Sequence, residues 1–299
     1  MSTLQDERAG RSSDAVGVAE NSGTFIPAMM SEGPPRYPPS AVKQWLTCPE
    51  FWRLSKIWEP RAAGWTPHRM VGQAIHAGIA AWLRPQVAGY VSPEPPPSPL
   101  SVALEVISNG YVPQDTWALE GLQGLVSKGF TKLRTLIERD ILPGATIIAV
   151  EYPDPVQDPR LGTHRLHRVV DCILARDDAL EVWDWKTKIR LDEAYLGETT
   201  RAVLHSWQLL DYSWHAGLWA NDGRFGRLER RTPDMGGLRV THAAHGLVVL
   251  GPKLLAQAIP VALTSERLTQ WRSQADRVWQ AMWECDQQDG PAVMNWEAC

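Results

Sequence analysis

One stretch of the chain combines two acidic residues and a lysine in a pattern suited to phosphate chemistry. Asp171 lies in an apolar run, and Asp184 and Lys186 follow it after a short polar turn at Asp177-Asp178. The β-branched and aromatic residues on both sides of that turn predict the two strands of a hairpin. A turn centred on this pair sets Asp171 directly opposite Asp184. Because side chains alternate along a strand, Lys186 shares the face of Asp184.

Two carboxylates and an ammonium group on one patch of a sheet predict a site for a divalent cation and a phosphodiester. A structural ion pair between Asp184 and Lys186 is the alternative, but burying Asp171 in an apolar strand is costly unless it is paired or binds a cation. Carboxylate ligands suit Mg²⁺ or Mn²⁺. Lys186 can then orient an attacking water or stabilise charge that develops on the phosphate.

A histidine far upstream can join these carboxylates. His76 shares one face of a predicted helix with Gly72 and Ala80, whose small side chains let the helix approach a sheet closely. A lone helical histidine is usually structural, but the two aspartates make His76 a candidate metal ligand or gate of the site. An imidazole ligand shifts the expected preference toward Mn²⁺.

Three further polar residues are candidates for support of the site. Gln208 and Tyr212 are four residues apart, so they project from one face of a helix and can hydrogen-bond a phosphate or Lys186. Glu151 ends a predicted strand, where a surface carboxylate and a site residue are equally expected.

Composition indicates an ordinary globular protein. The chain has 299 residues, of which 44% are apolar, and it carries a net charge of −4. It has no apolar run near the ~20 residues needed to span a bilayer, and the N-terminus lacks a secretory pattern; a cytoplasmic location without membrane contact is expected. The net charge argues modestly against a polyanionic partner, but Arg165 and Arg168 precede the Asp171 strand and are predicted to contact phosphates.

The predicted elements describe a mixed α/β core with an N-terminal helical layer. Residues 1–36 are expected to be disordered, about 37–143 to be mainly helical, and about 144–299 to form the catalytic core. One predicted helix starts near Ser40. Four others cover about Thr66–Leu83, Asp115–Arg139, Thr200–Ala220 and Thr264–Cys285. The predicted strands are Thr146–Glu151, the hairpin around Asp177-Asp178, and His245–Leu250.

The order of the candidate residues resembles that of a known nuclease family. The set is His76, Asp171, Asp184-x-Lys186 and Gln208-x-x-x-Tyr212. It is similar to the PD-(D/E)XK nuclease superfamily, and more closely to its branch of RecB-type nuclease domains and CRISPR-adaptation nucleases. Further similarity lies in Ser40…Cys48-Pro49, Gly72-x-x-x-His76 and Asp184-Trp185-Lys186-Thr187.

The resemblance extends from about Ser40 to Cys285 and implies a restriction-endonuclease-like core, a central mixed sheet flanked by helices. It implies metal binding at His76, Asp171 and Asp184. It also implies catalysis through Lys186 with support from Gln208 and Tyr212, and Glu151 matches an acidic position on the preceding strand. The chain departs from the pattern at Val170, which replaces a common proline, and at His167-Arg168, where relatives usually have glycine.

The same resemblance raises the question of an iron–sulfur cluster, which many relatives bind through one N-terminal and three C-terminal cysteines. Cys48 occupies the N-terminal position, and Asn295–Cys299 resembles the start of the C-terminal trio. Cys48, Cys285 and Cys299 do not complete four ligands. Either the cluster has been lost or the sequence ends before the remaining ligands, and we expect the second.

The leading hypothesis is a Mg²⁺- or Mn²⁺-dependent DNA nuclease, acting as an exonuclease on single-stranded or duplex DNA ends in repair, recombination or phage DNA processing. One alternative is a catalytically silent nucleic-acid-binding subunit, although every expected site residue is retained. Another is action on a small phosphorylated molecule at the same patch. The chain contains no Gly-x-x-x-x-Gly-Lys-Ser/Thr loop, so a helicase or recombination partner would have to supply any motor activity.

Overall fold

Within the residues that the structure describes, the predicted hairpin lies inside a five-stranded mixed sheet. The strands are β1 (Thr146–Pro153), β2 (Val169–Arg176), β3 (Ala179–Lys188), β4 (Arg239–Val249) and β5 (Leu255–Ala262), and they follow this order across the sheet. Neighbours are antiparallel except β3 and β4, which are parallel. A parallel pair needs a long crossover, usually with a helix, and the helix Trp207–Asn221 lies between these two strands in the chain.

The computed structural model describes the chain in separate stretches. They are residues 39–57, 66–92, 95–110, 119–153, 168–177, 179–188, 206–223, 225, 239–251 and 254–287. The N-terminal segment 1–36 lies outside them, so its predicted disorder and the domain boundary at residue 37 stay predictions. Among the described helices, none is both long enough and apolar enough to cross a bilayer.

The register of the hairpin agrees with the prediction from its turn. Backbone pairs run from Arg176 opposite Ala179 to Cys172 opposite Trp183. The turn begins at Asp177, whose φ of +51° is a left-handed conformation that aspartate tolerates better than most residues. The paired residues end at Cys172 and Trp183, one position short of Asp171 and Asp184. The register next to the turn is therefore as the sequence predicts, and the direct pairing of Asp171 with Asp184 stays a prediction.

Within the described residues, seven α-helices accompany the sheet. They are α1 (Pro39–Thr47), α2 (Pro49–Ile57), α3 (Pro67–Leu83), α4 (Pro99–Gly110), α5 (Leu119–Leu136), α6 (Trp207–Asn221) and α7 (Ser265–Gln287). A short 3-10 helix, Arg84–Gln86, follows α3, and a π-helical turn, Ile137–Ile141, follows α5. Thr66, Ser206 and Thr264 cap the starts of α3, α6 and α7 by accepting backbone N–H hydrogen bonds.

Two apolar layers lie against the two faces of the sheet. Helices α3, α4 and α5 bury one face together with Trp183 and Trp185, whose rings stack with centroids 6.0 Å apart. Helices α6 and α7 bury the other face, and α1 and α2 join them through Val42 and Trp52. The sheet flanked by helices confirms the α/β expectation, but the N-terminal helices divide between the two faces and do not form one layer.

Two elements of the fold were not predicted from the sequence. Helix α4 follows directly on a proline-rich segment, where Pro99 occupies its first turn. Strand β5 contains Pro260 and several alanines, which are poor strand formers. It pairs only with β4 among the described strands, and an edge position tolerates the missing N–H of a proline. Strand β4 also begins at Arg239, earlier than the predicted His245.

Glycines in α5 provide a matched pair for testing the packing of this helix. A Cβ atom at Gly129 would collide with Ile75 Cδ1 and lie 2.7 Å from Leu250 Cδ2, whereas one at Gly124 would have no neighbour within 4 Å. Gly129→Ala should therefore lower the free energy of unfolding by about 1–3 kcal/mol. Gly124→Ala should raise it by about 0.5–1 kcal/mol through helix propensity. Urea denaturation measures both, and equal effects would contradict close packing at Gly129.

Candidate active site

Asp184 and Lys186 form the centre of the candidate site, on the face of β3 that α6 covers. Asp184 is 2% exposed, whereas the side chain of Lys186 is 36% exposed. Lys186 Nζ lies 2.7 Å from Asp184 Oδ2 and 3.0 Å from Asp184 Oδ1. The buried carboxylate thus holds in place an ammonium group that still reaches solvent and can meet a substrate.

Gln208 connects this pair to α6. Its Oε1 accepts a hydrogen bond from Lys186 Nζ at 2.9 Å, and its Nε2 donates to Asp184 Oδ1 at 3.0 Å. Nε2 also lies 2.9 Å from the hydroxyl of Tyr212, one helical turn away. The structure therefore brings together all four residues predicted on β3 and α6, with Gln208 bound to the lysine and the aspartate.

Burial and charge set the protonation states of this cluster. Burial opposes ionisation of Asp184, but Lys186 and His245 outweigh it and lower the pKa of that carboxyl to about 2. Burial, followed by the charge of Asp184, raises the pKa of Tyr212 well above its usual value near 10. Near neutral pH the site therefore contains an anionic aspartate and a neutral phenol that can donate or accept a hydrogen bond.

Asp171 and His76 stand beside this cluster. Asp171 Oδ2 accepts a hydrogen bond from the backbone N–H of Trp185 at 2.7 Å and lies 3.5 Å from His76 Nδ1. Both side chains are partly exposed, at 13% and 27%. Burial opposes protonation of His76, but the charges of Asp171 and Asp184 outweigh it and raise its pKa above 6.5. The histidine predicted from the sequence therefore meets the first aspartate.

Helix α3 approaches the sheet closely, as it must if His76 is to reach the site. A Cβ atom at Gly72 would lie 3.8 Å from Thr187 Cβ, so the helix passes next to the end of β3. His76 lies one turn further along the same helix, beside Asp171 on the neighbouring strand. The small residue thus fits the predicted role of bringing the helix to the sheet.

Glu151 lies at an irregular position of β1, close to Asp171 and His76. It has a φ of +46° and follows a break in the β1–β2 register. Its carboxylate is 3.2 Å from Arg84, and burial followed by the charge of Asp171 raises its pKa. A left-handed backbone is costly for glutamate. The structure thus places Glu151 within electrostatic reach of the site, while its ion pair is with Arg84.

Arg168 occupies a position that does not fit the phosphate contact predicted for it. It is 2% exposed, its Nε lies 2.6 Å from Asp211 Oδ2, and its guanidinium lies 5.6 Å from the ring centroid of Trp279. A buried guanidinium that pairs with a carboxylate has no surface to offer a phosphate, so the structure does not support that role. Arg165, the other arginine predicted to bind substrate, lies outside the described residues.

The predicted cluster cysteines are only partly described. Cys48, between α1 and α2, is 4% exposed, and its Sγ accepts a hydrogen bond from the backbone N–H of Phe51 at 3.3 Å. Cys285 belongs to α7, and Cys299 lies outside the described residues. An iron–sulfur cluster at Cys48 and Cys299 therefore stays a prediction from the sequence.

Sequence reasoning missed one residue of the site. His245 on β4 pairs with Asp184 in the β3–β4 register, and its Nδ1 lies 2.6 Å from Asp184 Oδ2. The chain between these strands is about fifty residues long, and no local pattern fixes the register across such a connection. The sequence feature that could have pointed to it is a histidine two residues before the apolar run Leu247–Val249.

The residues at the site fit a hard divalent cation by their chemistry. Among the described residues, no three histidine, cysteine or acidic side chains lie close enough to form a preassembled metal cluster. Asp184 Oδ2 is buried and, within the same residues, lies close to Lys186 Nζ and His245 Nδ1 but has no hydrogen bond of ordinary geometry. Carboxylates with an adjacent imidazole are suitable ligands for Mg²⁺ or Mn²⁺, so His76, Asp171 and Asp184 are the candidates, with Glu151 beside them.

Comparison with known proteins agrees with this arrangement. The sequence model of the PD-(D/E)XK nuclease superfamily matches residues 36–299, nearly nine-tenths of the chain. No curated protein matches the chain. The matched region includes every element of the sheet and every candidate residue around Lys186. Nucleases of this kind generally use divalent metals and act on DNA. The chain belongs to the PD-(D/E)XK nuclease superfamily.

Proposed function

We propose that this protein is a Mg²⁺- or Mn²⁺-dependent deoxyribonuclease, and that it acts as an exonuclease on DNA ends during repair, recombination or phage DNA processing. The observation that carries the proposal is the contact network in which Gln208 holds both Lys186 and Asp184. A structural ion pair would not need a third polar side chain from another helix. Membership of a nuclease superfamily supports the same reaction.

In this proposal, His76, Asp171 and Asp184 would hold the cation, with Glu151 as a further acidic neighbour. When bound, the cation supplies Lewis-acid polarisation of the scissile phosphate. The lowered pKa of Asp184 keeps that ligand ionised at neutral pH, so it is ready to bind a metal. The raised pKa of His76 means that a proton must leave the imidazole before it can act as a ligand.

Lys186 would supply the positive charge of the chain itself. Its Nζ is held by Asp184 and Gln208 yet remains partly exposed, so it can orient a water molecule and stabilise negative charge that develops on the phosphate oxygens. In the hydrolysis, water forms a bond to phosphorus and loses a proton. The phosphorus–oxygen bond to the leaving nucleoside breaks, and that oxygen takes up a proton. Preorganisation lowers the barrier because the lysine need not be repositioned.

DNA cleavage assays would test this proposal. The substrates are end-labelled single-stranded and duplex DNA, closed circular DNA and an RNA of the same sequence, each with Mn²⁺, Mg²⁺ or EDTA. We expect metal-dependent release of short products from DNA ends and no attack on circles. Cleavage of the circular DNA would show endonuclease activity and contradict the proposed exonuclease. Intact DNA under every condition, with a folded protein that retards DNA in a gel, would favour the binding subunit instead.

Cleavage at limiting Mn²⁺ should rise with pH through the pKa of His76. The pKa of this imidazole is raised, so part of the protein carries a protonated His76 near neutral pH. The imidazole loses that proton as the pH increases. Metal and proton compete for the same nitrogen, so Mn²⁺ should bind more tightly as the pH rises above the ordinary imidazole pKa of 6.5. The activation constant for Mn²⁺ measures this. An unchanged pH profile in His76→Ala would contradict the role of His76 as ligand.

A further inference from the structure

A buried histidine lies on the opposite side of Asp184 from Asp171. Strand β3 lies between β2, which carries Asp171, and β4, which carries His245. His245 is 4% exposed, and its Nδ1 is 2.6 Å from Asp184 Oδ2. At this depth, His245 does not reach a substrate, so any effect it has on the reaction must pass through Asp184.

The backbone holds this imidazole at a defined place. Asp184 pairs with His245, and Trp185 pairs with Gly246 on the next rung. A Cβ atom at Gly246 would lie 2.5 Å from Trp185 Cε3, so the indole occupies the space that a side chain there would need. Because the indole packs directly on the neighbouring backbone, the strands cannot slide past each other at this point without a clash.

The contacts of the Asp184 carboxylate divide between its two oxygens. Gln208 Nε2 donates to Oδ1 at 3.0 Å, and Lys186 approaches both oxygens. His245 is the nearest group to Oδ2, and within the described residues its Nδ1 has no other polar contact to offset its burial. Removal of the imidazole would therefore free the carboxylate to turn toward Lys186 and away from any other cation.

We propose that His245 is a positioning residue that fixes the orientation in which the Asp184 carboxylate meets a divalent cation. The inference rests on the proposed metal-dependent function, because it assigns Asp184 as a ligand. Groups that orient a metal ligand commonly change metal affinity or activity by about 10–100-fold when they are replaced. His245 is thus a determinant of metal affinity that touches neither the substrate nor the metal.

Two amide substitutions separate this role from a packing role. An asparagine amide nitrogen takes the place of imidazole Nδ1, whereas a glutamine amide nitrogen takes the place of Nε2. His245→Asn should therefore keep the contact with Asp184, and His245→Gln should lose it, although both bury a polar amide of similar size. His242 is exposed on the same strand, so His242→Asn and His242→Gln serve as matched controls.

The experiment measures Mn²⁺ binding to the 299-residue chain by the loss of the free-ion EPR signal, with DNA cleavage and thermal unfolding in parallel. We expect His245→Gln to weaken Mn²⁺ binding about 10–100-fold, His245→Asn to retain most of it, and both controls to match the wild type. Equal Mn²⁺ affinity in folded His245→Gln and wild type would overturn the positioning role. If neither amide variant folds, His245→Thr and His245→Val provide a smaller pair, with and without a polar atom.

The two proposals fail in different ways. If the wild type cleaves DNA and His245→Gln binds Mn²⁺ as tightly as the wild type, the positioning role of His245 is wrong and the proposed nuclease function stands. A wild-type protein that binds Mn²⁺ but cleaves no DNA overturns the proposed function, and the affinity of the variants still decides the role of His245. A wild-type protein that neither binds Mn²⁺ nor cleaves DNA overturns both.

Discussion

Lys186→Ala should reduce the rate of DNA cleavage at saturating metal by at least about 100-fold, since the loss of one preorganised electrostatic group typically costs about 10²–10³ in kcat. The lysine Nζ is the partly exposed cation that Gln208 and Asp184 hold in place. Its removal leaves Asp184 in contact with Gln208 and His245, so the carboxylate stays in position and metal binding should persist. The main loss should therefore appear in kcat, with a smaller change in KM.

Lys188→Ala is the matched control, because Lys188 lies two residues further along the same strand and face. Single-turnover cleavage of end-labelled DNA measures both variants, and the Mn²⁺ activation constant shows whether the metal still binds. Lys186→Arg should not restore the rate, because a planar guanidinium does not replace a compact ammonium group. Cleavage by Lys186→Ala at the wild-type rate would remove Lys186 from the mechanism.

Asp184→Asn is a second way to remove activity, and it should act differently from Lys186→Ala. An amide keeps the size of the side chain but withdraws the negative charge that Lys186 and His245 face. Both cleavage and Mn²⁺ affinity should then fall, whereas Lys186→Ala lowers cleavage alone. Parallel titration of the two variants with Mn²⁺ measures the difference, and identical metal affinities in both would contradict the assignment of Asp184 as a ligand.

The part of the site that could be predicted from the sequence is the part fixed by local geometry. A two-residue turn determines the register of a hairpin, and the observed pairs from Arg176–Ala179 to Cys172–Trp183 follow the register expected from that turn. The spacing of four residues likewise puts Gln208 and Tyr212 on one helical face. These inferences need no knowledge of how distant segments meet.

The parts that could not be predicted depend on contacts between distant segments. His245 reaches Asp184 only because β4 pairs with β3 in parallel after a long crossover, and nothing in the sequence states that register. Arg168 precedes the Asp171 strand and is charged, so it resembles a surface residue that binds phosphate. It is buried because it pairs with Asp211, which lies forty-three residues later on α6. Charge alone therefore does not distinguish a substrate contact from an internal ion pair.

That internal ion pair should be a main determinant of stability. Arg168 and Asp211 are 2% and 3% exposed as side chains, with Nε and Oδ2 2.6 Å apart. His215 also approaches Asp211, and Trp279 lies against the guanidinium. Removal of one partner leaves the other charge buried without this ion pair, which typically costs about 3–5 kcal/mol. Arg168→Ala and Asp211→Ala should each lower the free energy of unfolding by about this amount.

Arg139→Ala is the matched control, because Arg139 pairs with Asp140 at 2.7 Å while its side chain is 73% exposed. Exposed ion pairs contribute little to the free energy of unfolding, so this variant should unfold at the same urea concentration as the wild type. The double variant Arg168→Met with Asp211→Leu should recover much of the loss, since apolar side chains of similar size can replace a buried pair. A loss in Arg168→Ala no larger than in Arg139→Ala would show that the buried pair does not stabilise the fold.

The same pair connects stability to the site. Arg168 begins the segment that carries Asp171, and Asp211 lies on α6 between Gln208 and Tyr212. The ion pair therefore joins β2, which supplies a candidate metal ligand, to the helix that orients Lys186. In the double variant the fold should persist without this polar connection. If the double variant cleaves DNA more slowly than its loss of stability explains, the ion pair also positions the two halves of the site. If the double variant cleaves DNA at the wild-type rate, the ion pair serves stability alone.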